Sequence, residues 1–320
     1  RRNMKKHILA VMIGAAALVP QTVLAQGARG WRETSVTPTT RGEWTGTRLA
    51  DGQPDVSGFW SNTIGNHNNL TDPQGPLGGD DEAPPAEGRQ PRAPRQPRPR
   101  SERAPSRISD PADGQIPLQP WARAKQEEFL KYLNNPIKPE YVEPFARCAP
   151  GGPSKSFMWH GYEVRQSPNY VVFLFDSGNR VIPLDSKPHL PSNLKLWNGD
   201  SRGHWEGNTL VVDTTNNNSK ARLGRTGEFV SENATIKELF IFDPSGQRFT
   251  YQATYTDPTV LTRPFTITIP NKRVTDKTPV DDWNNQTFVA KHDGQAPVIE
   301  AYERICVEGN GNHGQVVATK

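Results

Sequence analysis

The sequence predicts a mainly β protein, an antiparallel barrel with a single helix on its N-terminal side. Three observations predict it: short β-rich segments from about residue 157 onward, turn residues between them, and only one convincing helical stretch. Candidate strands are Glu163–Gln166, Tyr170–Asp176, Val181–Leu184, Thr209–Thr215, Thr235–Phe242, Phe249–Thr256, Phe265–Pro270 and Ile299–Val307. Asp176-Ser177-Gly178-Asn179 and Asp243-Pro244-Ser245-Gly246 separate neighbours and favour hairpins. In Phe249–Thr256 the period of two puts Phe249, Tyr251, Ala253 and Tyr255 on one face.

A meander of this length must hide its edges by closing on itself or by packing on a second sheet. A lipocalin-like barrel is the expected architecture, with a jelly-roll sandwich as the alternative. The helix is expected over Pro120–Leu133, with proline in the first turn and Trp121, Ala124, Phe129 and Leu133 sharing a broad face. Asn134-Asn135-Pro136 ends it. Upstream, Gly58-Phe59-Trp60 sits where a first strand leads into a barrel, and this Gly-x-Trp form resembles the lipocalin start.

The organisation along the chain follows from composition. Lys5, Lys6 and His7 precede the apolar run Ile8 to Val19, and Val23-Leu24-Ala25 follows. A charged start, about a dozen apolar residues and a small-residue exit describe a Sec-type signal peptide, and the run falls short of the roughly 20 residues of a spanning helix. Residues 1–25 are therefore expected to be removed after Ala25, with Met4 as the initiator behind the upstream Arg1, Arg2 and Asn3. The destination is the bacterial periplasm or the outside, and an integral membrane protein is not expected.

Residues 26–72 are expected to carry the first strand, and 118–320 the helix and barrel. Between them, residues 73–117 read as a disordered insertion. From Arg89 to Arg107 the chain holds seven arginines, five prolines and one acid, Glu102, too little apolar surface to offset the cost of ordering. A solvated linker is the plain reading; an electrostatic tether to an anionic envelope polymer is the sharper one.

The formal charge is +4, from 38 basic and 34 acidic residues. Loss of Arg1, Arg2, Lys5 and Lys6 with the signal peptide brings the basic count level with the 34 acids, which argues against a nucleic-acid partner. About 295 residues would remain, enough for one domain with its own core. In an oxidising compartment the two cysteines, Cys148 and Cys306, are expected to pair, closing a loop worth on the order of 4–5 kcal/mol in the chain-entropy model. Two thiols serving a metal or acting as nucleophiles are the alternative.

Chemistry concentrates in Gly199–Thr215, GDSRGHWEGNTLVVDTT. Asn208-Thr209 offers a turn, Leu210–Thr215 a strand, and Asp200, Arg202, His204 and Glu206 surround them. His189, between Pro188 and Leu190 in a loop stiffened by two prolines, is the most suggestive histidine. Its bland reading is a hydrogen bond to Asp185 or Asp200. His189, Asp200, Arg202 and Glu206 are the candidate catalytic set, with His189 or Glu206 as base and Arg202 as partner of a developing anion. Trp197, Trp205 and Tyr251 are the candidate walls of a ligand site.

No histidine pair has metal-ligand spacing, and no nucleophile elbow, P-loop or dinucleotide fingerprint occurs, so no metal or cofactor is expected.

Five segments occur in order: DGQPDVSGFW (51–60), RVIPLDSKPHLP (180–191), NGDSRGHWEGNTLVVDTTN (198–216), DPTVLTRPFT (257–266) and YERICVEGN (302–310). Together they resemble a large family of exported, functionally uncharacterised bacterial β-rich proteins. The resemblance implies secretion, a β-rich domain and the two-cysteine arrangement, but no activity. The family pattern tends to place histidine directly after the tail cysteine, where this chain has Val307 after Cys306.

Two functions remain. One is an exported binding protein holding a small apolar or aromatic ligand in the barrel mouth. The other is a secreted hydrolase or lyase acting on a carbohydrate or aromatic compound by acid/base catalysis. Convergence of His189, Asp200, Arg202 and Glu206 on one solvent-connected pocket would favour the enzyme; scattering as ion pairs outside any cavity would remove it.

Overall fold

The computed structural model describes residues 38–62, 69–73, 75, 99–133, 136–158, 161–175, 178–274, 289–290 and 298–299. Its framework is a meander of short strands: β1 (Gly58–Asn62), β2 (Ile108–Asp110), β3 (Tyr162–Ser167), β4 (Tyr170–Phe175), β5 (Gly178–Pro183), β6 (Asp200–Glu206), β7 (Thr209–Thr215), β8 (Thr235–Phe242), β9 (Arg248–Thr256) and β10 (Phe265–Arg273). They make one antiparallel sheet in the order β5-β4-β3-β1-β10-β9-β8-β7-β6, with β2 beside β10. A single continuous sheet, not two packed layers, sets aside the jelly-roll alternative.

The sheet curls until its two ends meet. β5 and β6 lie side by side without a backbone ladder, and side chains close the seam. Arg180 on β5 donates from Nη2 to the Ser201 hydroxyl on β6 at 2.9 Å. Packing is close enough that a Cβ added to Gly203 on β6 would lie 2.7 Å from Cγ2 of Ile182 on β5. The result is a barrel nearly closed by hydrogen bonds and finished by contact.

β1 joins the two halves. Trp60 stands opposite Tyr162 of β3 on one side and Arg273 of β10 on the other. Its indole is fully buried and packs edge-on against Phe242 and Phe249 at 5.7 and 5.0 Å. The tryptophan of the Gly-Phe-Trp segment is thus a core residue at the joint, which is what a large ring with one donor does well when that donor is satisfied. Its Nε1 donates to the Val56 carbonyl at 3.0 Å.

The strand alternation reaches the interior as written in the sequence. Phe249, Tyr251, Ala253 and Tyr255 of β9 are all buried, facing Phe240 and Phe242 of β8. The helix α1 (Pro120–Lys131) forms where expected, two residues shorter. The face it buries is different: Ala122, Gln126 and Phe129 point inward while Trp121 and Ala124 are exposed. A polar residue hid that stripe. Gln126 can be buried because its amide donates to the Thr226 carbonyl at 2.9 Å.

Two further expectations are corrected. Asp200–Glu206, expected only to surround a turn and the strand after it, is itself strand β6, paired with β7 from Asp200↔Thr215 to Glu206↔Thr209. The turn between them is Gly207-Asn208, one residue earlier than expected, with Gly207 at φ +59° and a Cβ there blocked by the Gly42 carbonyl.

The insertion expected to be disordered is ordered over 99–117. Ile108 and Ile116 are buried, the Arg107 amide donates to the Leu70 carbonyl, and the Thr268 amide donates to the Arg107 carbonyl, both at 2.7 Å. Three apolar anchors, Ala104, Ile108 and Ile116, suffice to dock it on the free edge of β10. Of its seven arginines, Arg103 pairs with Asp72 at 2.9 Å, Arg107 is buried, and Arg100 donates to the Ala104 carbonyl at 2.8 Å. Residues 76–98, with the other four, lie outside the described residues.

The segment Lys155–Met158, helix α2, enters the barrel as a plug. Phe157 is fully buried and contacts the rings of Tyr162, Phe173, Phe175, Phe240 and Tyr251 at 4.6–5.3 Å. The lumen that a ligand-carrying barrel leaves open is here filled by the chain itself.

A short ladder pairs β11 (Val289–Ala290) with β12 (Val298–Ile299). Most of the expected strand Ile299–Val307, with Cys306, lies outside the described residues. Among those residues, no helix is long and apolar enough to cross a membrane.

Candidate functional site

The residues nominated for catalysis separate into two groups. His189, Asp200 and Arg202 come together: His189 Nδ1 lies 2.8 Å from Asp200 Oδ2, the Leu190 amide donates to the same oxygen at 2.9 Å, and Arg202 reaches Asp200 Oδ1 at 3.3 Å. Arg202 also approaches Asp185 at 3.8 Å, and Asp185 is held by Lys187 at 2.8 Å. Asp200 is buried and accepts from a loop amide and an imidazole at once, so it fastens the 184–199 loop to the first residue of β6. Asn216 reinforces that fastening by donating to the carbonyls of Leu190 and Pro191. The bland reading of His189 is the one the geometry supports.

Glu206 stands at the opposite end of β6, six residues and so roughly 20 Å from Asp200. It is exposed, paired with Arg41 and with His204 Nε2 at 2.9 Å, and the imidazole beside it holds its carboxyl below the usual range. Among the described residues, none of these four side chains lines the cleft beside α1. Among the described residues no group of three or more His, Cys, Asp or Glu side chains is placed to hold a metal. His160 lies outside the described residues.

The three aromatic candidates also part company. Trp205 packs on Phe242 at the Glu206 end of the barrel and donates to Gln53 Oε1 at 3.0 Å. Tyr251 is fully buried in the lumen. Only Trp197 lines a cleft open to solvent.

Around Tyr251 runs a buried polar network. The Glu238 carboxylate, 0% exposed, receives Arg180 Nη1 at 2.6 Å, the Tyr251 hydroxyl at 2.6 Å and the Thr214 hydroxyl at 2.8 Å. The Ser154 hydroxyl, on the approach to α2, is hydrogen-bonded to both Tyr251 and Tyr255, at 2.9 and 2.7 Å. Burial opposes the Arg180 charge, but the adjoining Glu238 carboxylate outweighs it and holds the guanidinium more firmly protonated than usual. Burial pushes the Tyr251 and Tyr255 hydroxyls up, so both stay neutral donors. Sequence offered no signal for this set, whose members come from β5, β7, β8, β9 and the approach to α2 with no common spacing. Its side chains are buried in the lumen beneath the plug.

The open site is a cleft of about 720 Å³ between α1, the turns at 138–147 and the 219–232 loop, at one end of the barrel. Its walls are aromatic. Trp121, 49% exposed, meets Phe229 edge-on at 5.9 Å, Phe229 meets Phe129 at 6.0 Å, and Phe129 meets Tyr141 at 5.4 Å. The Arg222 guanidinium lies over the Phe129 ring at 4.0 Å and Lys125 over Phe229 at 4.9 Å. At the floor, Trp197, Ser219 and Val230 also line a small void reaching Ser154 and Tyr255 at the barrel end. The Tyr141 hydroxyl donates to Glu128, and that bond pushes the Tyr141 pKa up; Tyr141 in turn pushes Lys138 up.

Sequence reasoning missed Trp121 as a wall because it was assigned to the buried helix face, and missed Arg222 and Phe229 because nothing in 219–232 is periodic. Comparison with protein families, with curated proteins and with solved structures finds no match to the chain.

Proposed function

We propose that the protein is an exported binding protein that takes a small aromatic ligand into the cleft at the barrel end. The observation that carries this reading is the cleft itself. Its volume falls within the roughly 300–1,000 Å³ of small-molecule sites, and its aromatic walls include an exposed tryptophan that no packing requirement explains. The mouth expected from sequence is retained, but its walls become Trp121, Phe229, Phe129, Tyr141 and Trp197, with Trp205 and Tyr251 outside it. The acid/base reading loses its footing because Glu206 is remote from His189, Asp200 and Arg202, and none of the four lines the cleft.

Export and the Cys148–Cys306 bridge belong to the same reading. The charged, then apolar, then small-residue N-terminus supports the first, and the count of two cysteines supports the second. The intact mass of the exported chain after alkylation reads both at once. Loss of residues 1–25 with no alkylated thiol is expected; a retained leader or two alkylated thiols would overturn the respective part. The resemblance to exported β-rich bacterial proteins is of a piece with this, and the tether to an anionic polymer is left to residues 76–98.

The binding test uses the tryptophans in the walls. Titration with indole derivatives should quench intrinsic fluorescence saturably, and Trp121→Ser, an exposed change, should weaken binding at least tenfold while leaving the melting temperature within about 2 °C. Equal binding by wild type and variant, or no saturable quenching at all, would count against the cleft as the site.

A further inference from the structure

The cleft is not electrostatically neutral. Lys125, Lys138, Arg147, Lys220 and Arg222 line it against the three carboxylates Glu128, Glu140 and Glu232. Glu128 accepts the Tyr141 hydroxyl.

Arg222 is the informative cation. One ring face of Phe129 covers its guanidinium, and its nitrogens meet only backbone carbonyls, Glu140 at 3.0 Å from Nη2 and Ala221 at 3.5 Å from Nη1. Among the described residues no carboxylate stands within 4 Å of it, and Glu143, whose charge acts on it most, is engaged by Lys155. Burial pulls its pKa down to about 10 against the opposing charges of Glu143 and Glu140, neither carboxylate standing within 4 Å of it. A guanidinium has five donors in a planar fork suited to carboxylate and phosphate oxygens, and two carbonyl contacts leave most of them unused. Lys220, exposed on the same wall and without a carboxylate within 4 Å among the described residues, adds a second positive charge.

Resting on the binding reading above, the geometry points to an anionic aromatic ligand: a ring held among Trp121, Phe129 and Phe229, bearing a carboxylate or phosphate that docks on Arg222 beside Lys220. The ring alone would fill the apolar wall and leave Arg222 as it is. The anion supplies the missing counter-charge, and a charge-assisted contact of that kind is stronger than a neutral one.

Matched probes test it. Indole-3-acetate and indole-3-acetamide share ring and shape and differ by one charge, while phenyl phosphate against phenol provides the phosphate arm. Isothermal titration should show the acetate binding at least tenfold tighter than the amide. That preference should shrink several-fold between 50 and 500 mM salt and vanish in Arg222→Met. Lys220→Gln, a surface change that leaves folding untouched, should cost the acetate about threefold if Arg222→Met does not fold. A tenfold preference in only one arm assigns the anion as carboxylate or as phosphate. Equal affinity for the charged and neutral probe in both arms overturns the anion seat and leaves the binding reading standing. No binding by any of the four removes both.

Discussion

Glu238→Gln is expected to destabilise the folded chain by about 3–5 kcal/mol, the cost of leaving a buried partner charge uncompensated. The glutamine keeps the shape but removes the carboxylate that receives Arg180, which is 3% exposed and at the seam between β5 and β6. It also unsettles the hydroxyls of Tyr251 and Thr214, which donate to the same group. Urea unfolding should show the midpoint falling at unchanged slope, since the surface exposed on unfolding is the same. The loss should hold at high salt, because a pair this deep is poorly screened. Replacing both partners by apolar residues, Arg180→Met with Glu238→Leu, should cost much less than Glu238→Gln alone. A loss under about 1 kcal/mol for Glu238→Gln would show that water reaches the pair and that the lumen is not sealed.

Phe157→Ala is the second large expected effect, about 3–5 kcal/mol. Its ring is the hub on which aromatic side chains of β3, β4, β8 and β9 meet, and the rest of the α2 plug is short enough that little can move in to replace it. The void left would be lined by Tyr162, Phe173, Phe240 and Tyr251, mostly apolar, so benzene should raise the melting temperature of the variant and leave wild type unchanged. Wild-type stability in the variant would mean that the plug does not occupy the lumen.

The two variants probe different parts of one idea, that the barrel interior is occupied and the ligand site lies outside it. That idea was only partly legible in the sequence. β9 and β10 could be read because their interior positions are mostly large and apolar while their exterior ones are not; Phe249, Tyr251, Ala253 and Tyr255 announce a face. β6 could not, because Asp200, Arg202, His204 and Glu206 crowd it with charge and Gly203 with a gap. Yet the gap is what lets β5 close against it, and the charges fall where a strand exposes them or uses them to hold a loop. β2 was invisible inside an arginine-proline run because three residues on a sheet edge need only one good anchor, Ile108. The helix position was legible but its buried face was not, since Gln126 spends its polarity on a carbonyl 100 residues away.

For the site, the sequence showed which residues could do chemistry and not which would meet. His189 and Asp200 do meet, in the structural role weighed for them. The cleft is assembled from 121–147, Trp197 and 219–232, segments brought together only by the barrel beneath them, and no spacing within any one of them encodes the others.

The placement of β1 governs when the chain can fold. It is made early, yet its partners on either side are β3, about 100 residues later, and β10, about 200 residues later. At the roughly 5–20 residues per second of protein synthesis, β1 waits on the order of 10–40 s for the second of them. Local hairpins such as β6–β7 and β8–β9 can form as they emerge, but the ring they belong to stays open until Arg273 exists. Closure is therefore a late, non-local event that rewards a long search in sequence, the kind of topology that folds slowly.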